Sequence, residues 1–373
     1  MRDLRVLHVI NSLDRGGAES NLARLCAATA RCGVANVVMT LKRGGVLRDT
    51  VARHSRVVPL SSFIDTLRLV RGWDDGPPDL VVGWMYVGCA FASTVTPRAT
   101  PVIWSIRHVP SELARESRTT RLSLELLRRY CVPSSRRKPR LVITNSAAAR
   151  DAHEALGLVG DYRVIGNGVD VDRFSPDRAS GLAFRREIGV DDTEIVLLQV
   201  GRYHHHKGQE LLLDVAVNLM RRRPSLRLVM VGSGVEAIRH RIFDDRELSG
   251  RVHRLTDRDD LVPIYRAADL LINPSLTESF PTAVIEAMSC AVPCVVTDAG
   301  ASREIVGETG EVVAPGSVDA LQDGIERFLA RSADAIQRCG AAARQRVLDR
   351  YAMPRMSTAF VDAYRSVARQ ARS

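Results

Sequence analysis

The chain has 373 residues, 45% of them hydrophobic and 26% charged, and a formal net charge of +10. That length suits two domains, each with apolar material for its own core, and excludes a disordered or fibrous chain. Its seven cysteines are odd in number and scattered, with no Cys-x-x-Cys pair, which excludes a disulfide-stapled secreted scaffold and fits reduced thiols.

Met1-Arg2-Asp3-Leu4-Arg5 runs straight into an apolar segment without the pattern of a signal peptide, so a cytoplasmic protein is expected. Residues 6–10 read as a strand, followed by the turn Gly16-Gly17 and an apolar-periodic helix over 18–30. Residues 35–41 and 57–60 read as further strands. The segment 80–97 carries no charge and approaches the length of a membrane-spanning helix. Gly83, Gly88, Ser93 and Thr94 dilute it and Pro97 ends it, so it is read as a strand over 80–84, a loop, and a short helix over 88–95. Strands at 102–106, 141–144 and 163–165 continue the set. Between them, 115–130 reads as an amphipathic helix with Leu122, Leu126 and Leu127 on one side. The second half repeats the habit, with strands at 195–200, 227–231, 252–255, 270–272 and 295–297. Strands alternating with helices predict parallel sheets with right-handed crossovers. The expected class is therefore α/β, with two Rossmann-like domains joined by a Gly-, Asp- and Pro-rich linker over 166–177.

The charge is unevenly spread. Residues 1–175 hold 26 Lys and Arg against 16 Asp and Glu, whereas 176–373 hold 27 of each. Much of the excess falls between Arg115 and Arg140. A solvated basic face, an anionic membrane surface and an acidic acceptor all fit this balance. No aromatic residues interleave with the basic ones as base stacking requires, so a nucleic acid partner is not expected.

The most informative stretch is Glu278-Ser279-Phe280-Pro281-Thr282-Ala283-Val284-Ile285-Glu286. It follows a buried-strand pattern and enters a segment of helical composition, with Pro281 suited to the first helical turn. One carboxylate then lies on a strand-to-helix loop and the other about one turn inside the helix. Amide groups between them face the carboxyl end of a strand, where phosphates bind. A carboxylate accepts two hydroxyl hydrogens at once and so suits a vicinal diol. Arg202 and Lys207 are the cations that could meet a diphosphate between such groups, and Lys207 is one of only three lysines in the chain. The run His204-His205-His206 invites a metal reading. Consecutive residues on a loop are expected to diverge, and no nearby Cys or carboxylate completes a set, so no metal site is expected.

These segments resemble the retaining glycosyltransferases of family 4, which have the GT-B architecture. The resemblance runs over roughly residues 6–315. It is carried by Gly201-Arg202 with Lys207-Gly208, Gly232-Ser233-Gly234, Tyr265-Arg266-Ala267-Ala268-Asp269, Glu278 to Ala287, the segment from Val292 to Glu304, and Thr309-Gly310. Asn167-Gly168-Val169-Asp170, Gly16-Gly17-Ala18-Glu19 and Arg107-His108 also fit, more loosely.

The resemblance implies two domains facing across a central cleft. An acceptor-binding domain would cover 1–170, joined by a C-terminal helix at about 354–373, and a nucleotide-sugar-binding domain would cover 178–353. It implies catalytic roles for His108, Arg202, Lys207 and Glu278. Nucleotide-sugar contacts would come from Gly16, Gly17, Gly201, Gly232, Ser279, Phe280, Pro281, Thr282 and Glu286. No metal or other cofactor is implied. The reaction would move a sugar from a nucleoside-diphosphate sugar to a hydroxyl of a glycan, lipid-linked or small-molecule acceptor, in polysaccharide or lipid-linked glycan biosynthesis, with peripheral membrane association through the basic first half as a further expectation. Two alternatives share the binding residues: a nucleotide-sugar epimerase, and a non-catalytic nucleotide-sugar-binding protein.

Overall fold

Two parallel sheets organise the chain in a computed structural model that describes residues 3–14, 16–60, 76–110, 118–136, 139–256 and 258–371. The first structural unit comprises Met1–Gly168 and Met353–Ser373, and the second Val169–Ala352.

In the first unit the strands are β1 (Leu4–Ile10), β2 (Val34–Thr40), β3 (Arg56–Pro59), β4 (Leu80–Trp84), β5 (Val102–Ile106), β6 (Leu141–Thr144) and β7 (Tyr162–Val164). They lie in the order β3-β2-β1-β4-β5-β6-β7, all parallel. Side chains of a strand alternate between faces, and the core divides accordingly. Val6, Ile10, Leu80, Val82 and Trp84 pack on one face with helix Gly17–Ala30 and the C-terminal helix Met353–Gln370. Leu7, Val9, Val81, Trp104 and Ile106 pack on the other with helix Met85–Val95. Trp84 and Phe360 stack nearly parallel with ring centroids 6.5 Å apart, which fixes the C-terminal helix on this sheet.

The charge-free segment differs from its sequence reading in one respect. The helix begins at Met85, directly after β4, and the expected loop is absent. Met85 makes this junction by adopting a left-handed backbone, φ 56°, a conformation costly for a residue with a Cβ. No helix among the described residues is long and apolar enough to cross a membrane. The helix expected over 115–130 is described from Arg118 to Leu126, and residues 111–117 lie outside the described set. A π turn, Leu127–Cys131, and a short helix, Val132–Ser135, follow it. Its buried side is Leu124, Leu127 and Cys131, while Leu122 is 71% exposed, so the expected leucine face is displaced around the helix.

In the second unit the strands are β8 (Ile195–Val200), β9 (Leu226–Val231), β10 (Val252–Leu255), β11 (Leu270–Asn273), β12 (Cys294–Thr297) and β13 (Gly310–Val313), in the order β10-β9-β8-β11-β12-β13. They too are parallel. The last strand was not expected from the sequence, being short and glycine-led. Helix Gln209–Arg222 and helix Val318–Leu329 cover one face, and helix Thr282–Ser289 and helix Ala333–Arg350 the other. Helix starts are capped by side chains as the sequence dictates, with Asp177, Ser317 and Ser332 each accepting a backbone N–H three residues on. All seven cysteines are free thiols.

Candidate active site

The second sheet reverses its strand order between β8 and β11. Loops leaving the carboxyl ends of two such strands part company and leave a crevice between them. The loop after β8 carries Gly201, Arg202 and Lys207, and the loop after β11 carries Glu278 to Thr282. The topology therefore brings the two halves of the expected donor site to one place.

The loops are joined by an ion pair. Lys207 Nζ lies 2.5 Å from Glu278 Oε2, with the side chains 28% and 13% exposed, so solvent screens the pair less than it would a surface bridge. Glu278 Oε1 accepts from the amide of Ser279 at 3.1 Å, which fixes the carboxylate in its loop. Arg202 presents an exposed guanidinium, and no acid among the described residues pairs with it. Gln209 Nε2 donates to Arg202 O at 2.9 Å and ties the loop to the helix that follows. Gly232, after β9, has φ 148°, and a Cβ there would stand 2.3 Å from Gly201 O. Glycine is needed at this crossing because no side chain fits between the two loops. A second close approach occurs at Gly300, φ 57°, whose Cβ would lie 2.2 Å from Glu278 O.

Glu286 is buried on helix Thr282–Ser289, not exposed as an ordinary helix residue would be. Tyr265 donates its hydroxyl to Glu286 Oε2 at 2.8 Å. Burial, with the Glu286 charge beside it, pushes the Tyr265 hydroxyl well above its ordinary range, so it stays a donor. Tyr265 stood in the resembling motif without a role. Its signal was an aromatic hydroxyl in an otherwise apolar helix segment, and pairing it with Glu286 needed the fold. Ser279 and Phe280 are buried, with the Phe280 ring edge-on to Tyr351 at 5.8 Å. Pro281 corrects its sequence placement. It precedes the helix in an extended conformation, φ −72° and ψ 95°, and its carbonyl accepts from Val284 N. Thr282 is the first helical residue. The first N–H groups of such a helix have no intrahelical acceptor and are oriented for an anion.

His204, His205 and His206 also correct their reading. The 3-10 turn His205–Lys207 follows an extended His204, whose Nδ1 accepts from His206 N at 3.4 Å. That folds the first ring back over the turn. The three ring centroids stand 3.8 to 4.9 Å apart, and their ligand nitrogens lie within 4.8 Å of one another. Consecutive histidines do converge here, because a 3-10 turn is tight and the residue before it bends inward. Among the described residues no acid or thiol belongs to the group.

Gly16, Gly17 and His108 lie in the first unit. Gly16 and Gly17 start helix Gly17–Ala30 after β1, and half-buried His108 follows β5, so all three stand at carboxyl ends of strands in that sheet. A Cβ on Gly16 would meet Glu19 Oε2 at 2.1 Å, whereas Gly17 has open space beside it. Burial pushes the Glu19 carboxyl up from its ordinary value. Arg107, next to His108, is buried and holds Ile165 O at 3.0 Å and Asn167 Oδ1 at 2.6 Å. Burial lowers its guanidinium to about 9.

Residues 182–346 match the family described as "Glycosyl transferases group 1", and residues 15–173 match "Glycosyltransferase Family 4". A D-inositol 3-phosphate glycosyltransferase of Mycobacterium sp. (strain KMS) is 36% identical over 186 residues, 47% of this chain and 41% of that protein. An uncharacterised glycosyltransferase of Methanocaldococcus jannaschii is 32% identical over 176 residues, 45% of this chain and 44% of that protein. The chain thus spans less than half the length of these curated relatives. Among solved structures, Anabaena Alr3699/HepE in complex with UDP-glucose aligns with a TM-score of 0.80 at 22% identity, covering 97% of this chain and all of that one. WaaG, a glycosyltransferase involved in lipopolysaccharide biosynthesis, aligns with a TM-score of 0.70 at 16% identity, covering 98% of this chain and 99% of that one. These neighbours share the GT-B fold.

Proposed function

Because the chain belongs to the family 4 glycosyltransferases, with a group 1 glycosyltransferase domain as its second half, we propose that it is a retaining glycosyltransferase. It moves a sugar from a nucleoside-diphosphate sugar to an acceptor hydroxyl, in the synthesis of a polysaccharide or lipid-linked glycan in the cytoplasm. The observation that carries this reading is the joining of Lys207 to Glu278 at the strand-order reversal of the second sheet, with exposed Arg202 on the same loop as Lys207.

In this reading Glu286, held by Tyr265, takes the ribose hydroxyls, and Glu278 takes hydroxyls of the sugar in transfer. Arg202, Lys207 and the amides at the start of helix Thr282–Ser289 take the diphosphate. Negative charge develops on the leaving diphosphate as the glycosidic bond breaks, and fixed cations that meet it stabilise the transition state more than the ground state. The acceptor hydroxyl attacks from the face that the diphosphate leaves, and its proton passes to the departing phosphate oxygen. His108 acts as a catalytic residue toward the sugar in transfer, and Gly16 and Gly17 contribute nucleotide-sugar contacts. The two cations supply the charge that a metal ion provides elsewhere, so transfer proceeds without one. With Arg202 and Lys207 flanking them, the three imidazoles serve as donors toward phosphate, not as ligands to an ion, and treatment with EDTA leaves the rate unchanged.

The test is incubation with a panel of nucleotide sugars, with and without acceptor. Glycoside formed only when acceptor is present supports the reading, and an isomerised donor formed without acceptor replaces it with epimerisation. Glu286→Ala is expected to weaken donor binding, read by calorimetry, by tenfold or more, since it removes a charge-assisted contact to two hydroxyls worth roughly 1.5–3 kcal/mol.

A further inference from the structure

The first unit carries a second cationic place, away from any strand end used above. A cavity of about 1050 Å3 opens among the segment before β5, the end of helix Met85–Val95 and the π turn Leu127–Cys131. Arg98, Arg129, Arg136 and Arg140 line it, no acid among the described residues does, and Tyr130 and Val132 give it an apolar wall. Arg129 pairs with Glu125 outside the lining. Among the described residues no acid pairs with Arg98, Arg136 or Arg140. Four like charges around one concavity repel one another, and a bound anion removes that penalty.

Two further observations point the same way. Arg129 and Tyr130 sit on a π turn, a rare element that reorients side chains and recurs at functional sites. The tyrosine is held in place, its hydroxyl 2.6 Å from Thr94 Oγ1 and its carbonyl accepting from Ser134 Oγ at 2.6 Å. The position in the sheet separates this cavity from the transfer site. Arg98 precedes β5 and Arg140 immediately precedes β6, so both stand at the amino edge. Gly16, Gly17 and His108 stand at the carboxyl edge, about 16 Å away along a five-residue strand.

We propose that this cavity binds a phosphate ester, with the guanidinium forks of Arg98, Arg129, Arg136 and Arg140 taking the phosphate oxygens and Tyr130 and Val132 the organic part. Arginine forks match phosphate geometry in pairs, which a diffuse basic surface does not require. The phosphate comes either from a soluble phosphorylated molecule or from the phosphomonoester headgroup of a bilayer. The inference stands without the transfer reading.

Inorganic pyrophosphate, titrated calorimetrically into the whole protein, is the first probe. Binding is expected to weaken at least tenfold in Arg136→Ala/Arg140→Ala and to persist at this site in Arg202→Ala/Lys207→Ala, which disables the proposed donor site instead. Arg136 and Arg140 are exposed enough to leave folding intact, the fold of the Arg202→Ala/Lys207→Ala protein is checked by circular dichroism, and Arg136→Lys/Arg140→Lys is expected to recover only part of the affinity. Sedimentation with phosphatidylcholine vesicles, with and without phosphatidic acid, separates the two sources. Capture that needs both phosphatidic acid and the arginine pair assigns a headgroup, and pyrophosphate binding without capture assigns a soluble ligand. Pyrophosphate binding that is indifferent to Arg136 and Arg140, together with no capture, overturns the proposal.

Discussion

Both sheets reverse strand order beside their first strand, between β1 and β4 in one unit and between β8 and β11 in the other. In the second unit the reversal is charged, with Arg202, Lys207 and Glu278 on the two loops. In the first unit Gly16, Gly17 and the left-handed Met85 stand at the reversal, with the acids Asp14 and Glu19 close by and no comparable ion pair among the described residues. The first unit nevertheless carries 29 Lys and Arg against 15 Asp and Glu, placed elsewhere on the sheet, while the second carries 24 against 28 and is slightly negative. In the proposed reading one winding rule serves two purposes. A diphosphate would be gripped by charge, which must be local because Coulomb attraction falls with distance and is screened by salt. An acceptor hydroxyl held by the first unit would be accommodated by shape.

The sharpest test of that contrast is Lys207→Ala. Loss of one charge aimed at the leaving group is expected to lower kcat by about 10²–10³, or roughly 3–4 kcal/mol. A small effect on kcat with a large one on donor KM would move Lys207 from the transition state to ground-state binding. Gly17→Ala, at the reversal of the first unit, has open space beside it and is expected to raise donor KM while leaving folding as it was.

Acid separates the units next. His8 and His153 are buried in the first unit, and burial pushes both down to about 4. Trp84 Nε1 donates to His8 Nδ1, so His8 Nε2 carries the proton and donates to Asn36 Oδ1. His153 Nδ1 donates to Ala149 O, and its Nε2 accepts from the Tyr86 hydroxyl. Both rings are therefore neutral in the folded protein. An unfolded histidine titrates near 6.5, so between about 6.5 and 4 the unfolded state binds more protons and stability falls as pH falls. Each histidine contributes about 1.4 kcal/mol per pH unit inside that window. Denaturant melts at pH 6 and 5 are expected to differ by about 2–3 kcal/mol in the first unit. Hydrogen exchange should report opening of β1, β4 and the C-terminal helix before β8 and β11. Simultaneous opening of both units would break the comparison.

A smaller effect is expected at Tyr265→Phe. The substitution keeps the ring that packs edge-on against Phe174 at 5.8 Å and removes the hydroxyl donated to Glu286. Donor affinity should fall about threefold to tenfold, a fraction of the worth of one hydrogen bond to a charged group because Tyr265 positions the carboxylate and does not touch the donor, with the melting temperature nearly unchanged. A large loss of stability instead would assign Tyr265 to the core alone.

Much of this was readable in the residues, and the exceptions have physical causes. Continuous apolar runs such as Leu80–Trp84 and Ile195–Val200 announce strands buried on both faces, and the residues near Glu278 and Glu286 announce the strand-to-helix loop that carries them. What the sequence did not display was mutual placement. The expected divergence of His204, His205 and His206 failed because one backbone hydrogen bond inside a 3-10 turn outweighs the spread of successive side chains. The leucine face expected in residues 115–130 was misplaced because the buried stripe is Leu124, Leu127 and Cys131, at ordinary helical spacing, and Leu122 falls outside it. Strand β13 was missed because four residues led by glycine carry little pattern, and its pairing with β12 supplies what the sequence lacks.

Among the described residues two non-glycines have positive φ, Met85 in the first unit and Ala291 in the second, and they divide the units at the finest scale. Ala291 ends helix Thr282–Ser289. Its N–H reaches Met288 O and that of Val292 reaches Ala287 O, the closing pattern that prefers glycine at this position. A left-handed alanine costs about 1–2 kcal/mol, and part of any gain on substitution is lost to the freedom glycine brings to the unfolded chain. Ala291→Gly is therefore expected to stabilise the second unit by about 0.5–1 kcal/mol with transfer activity unchanged. Met85→Gly should relieve similar backbone strain, but Met85 stands at the reversal where, in the proposed reading, the acceptor is accommodated by shape. The same substitution there is expected to raise acceptor KM even as stability rises. Equal behaviour of the two variants in the transfer assay would show that Met85 is only a helix start, and the first reversal would then owe its function to Gly16 and Gly17.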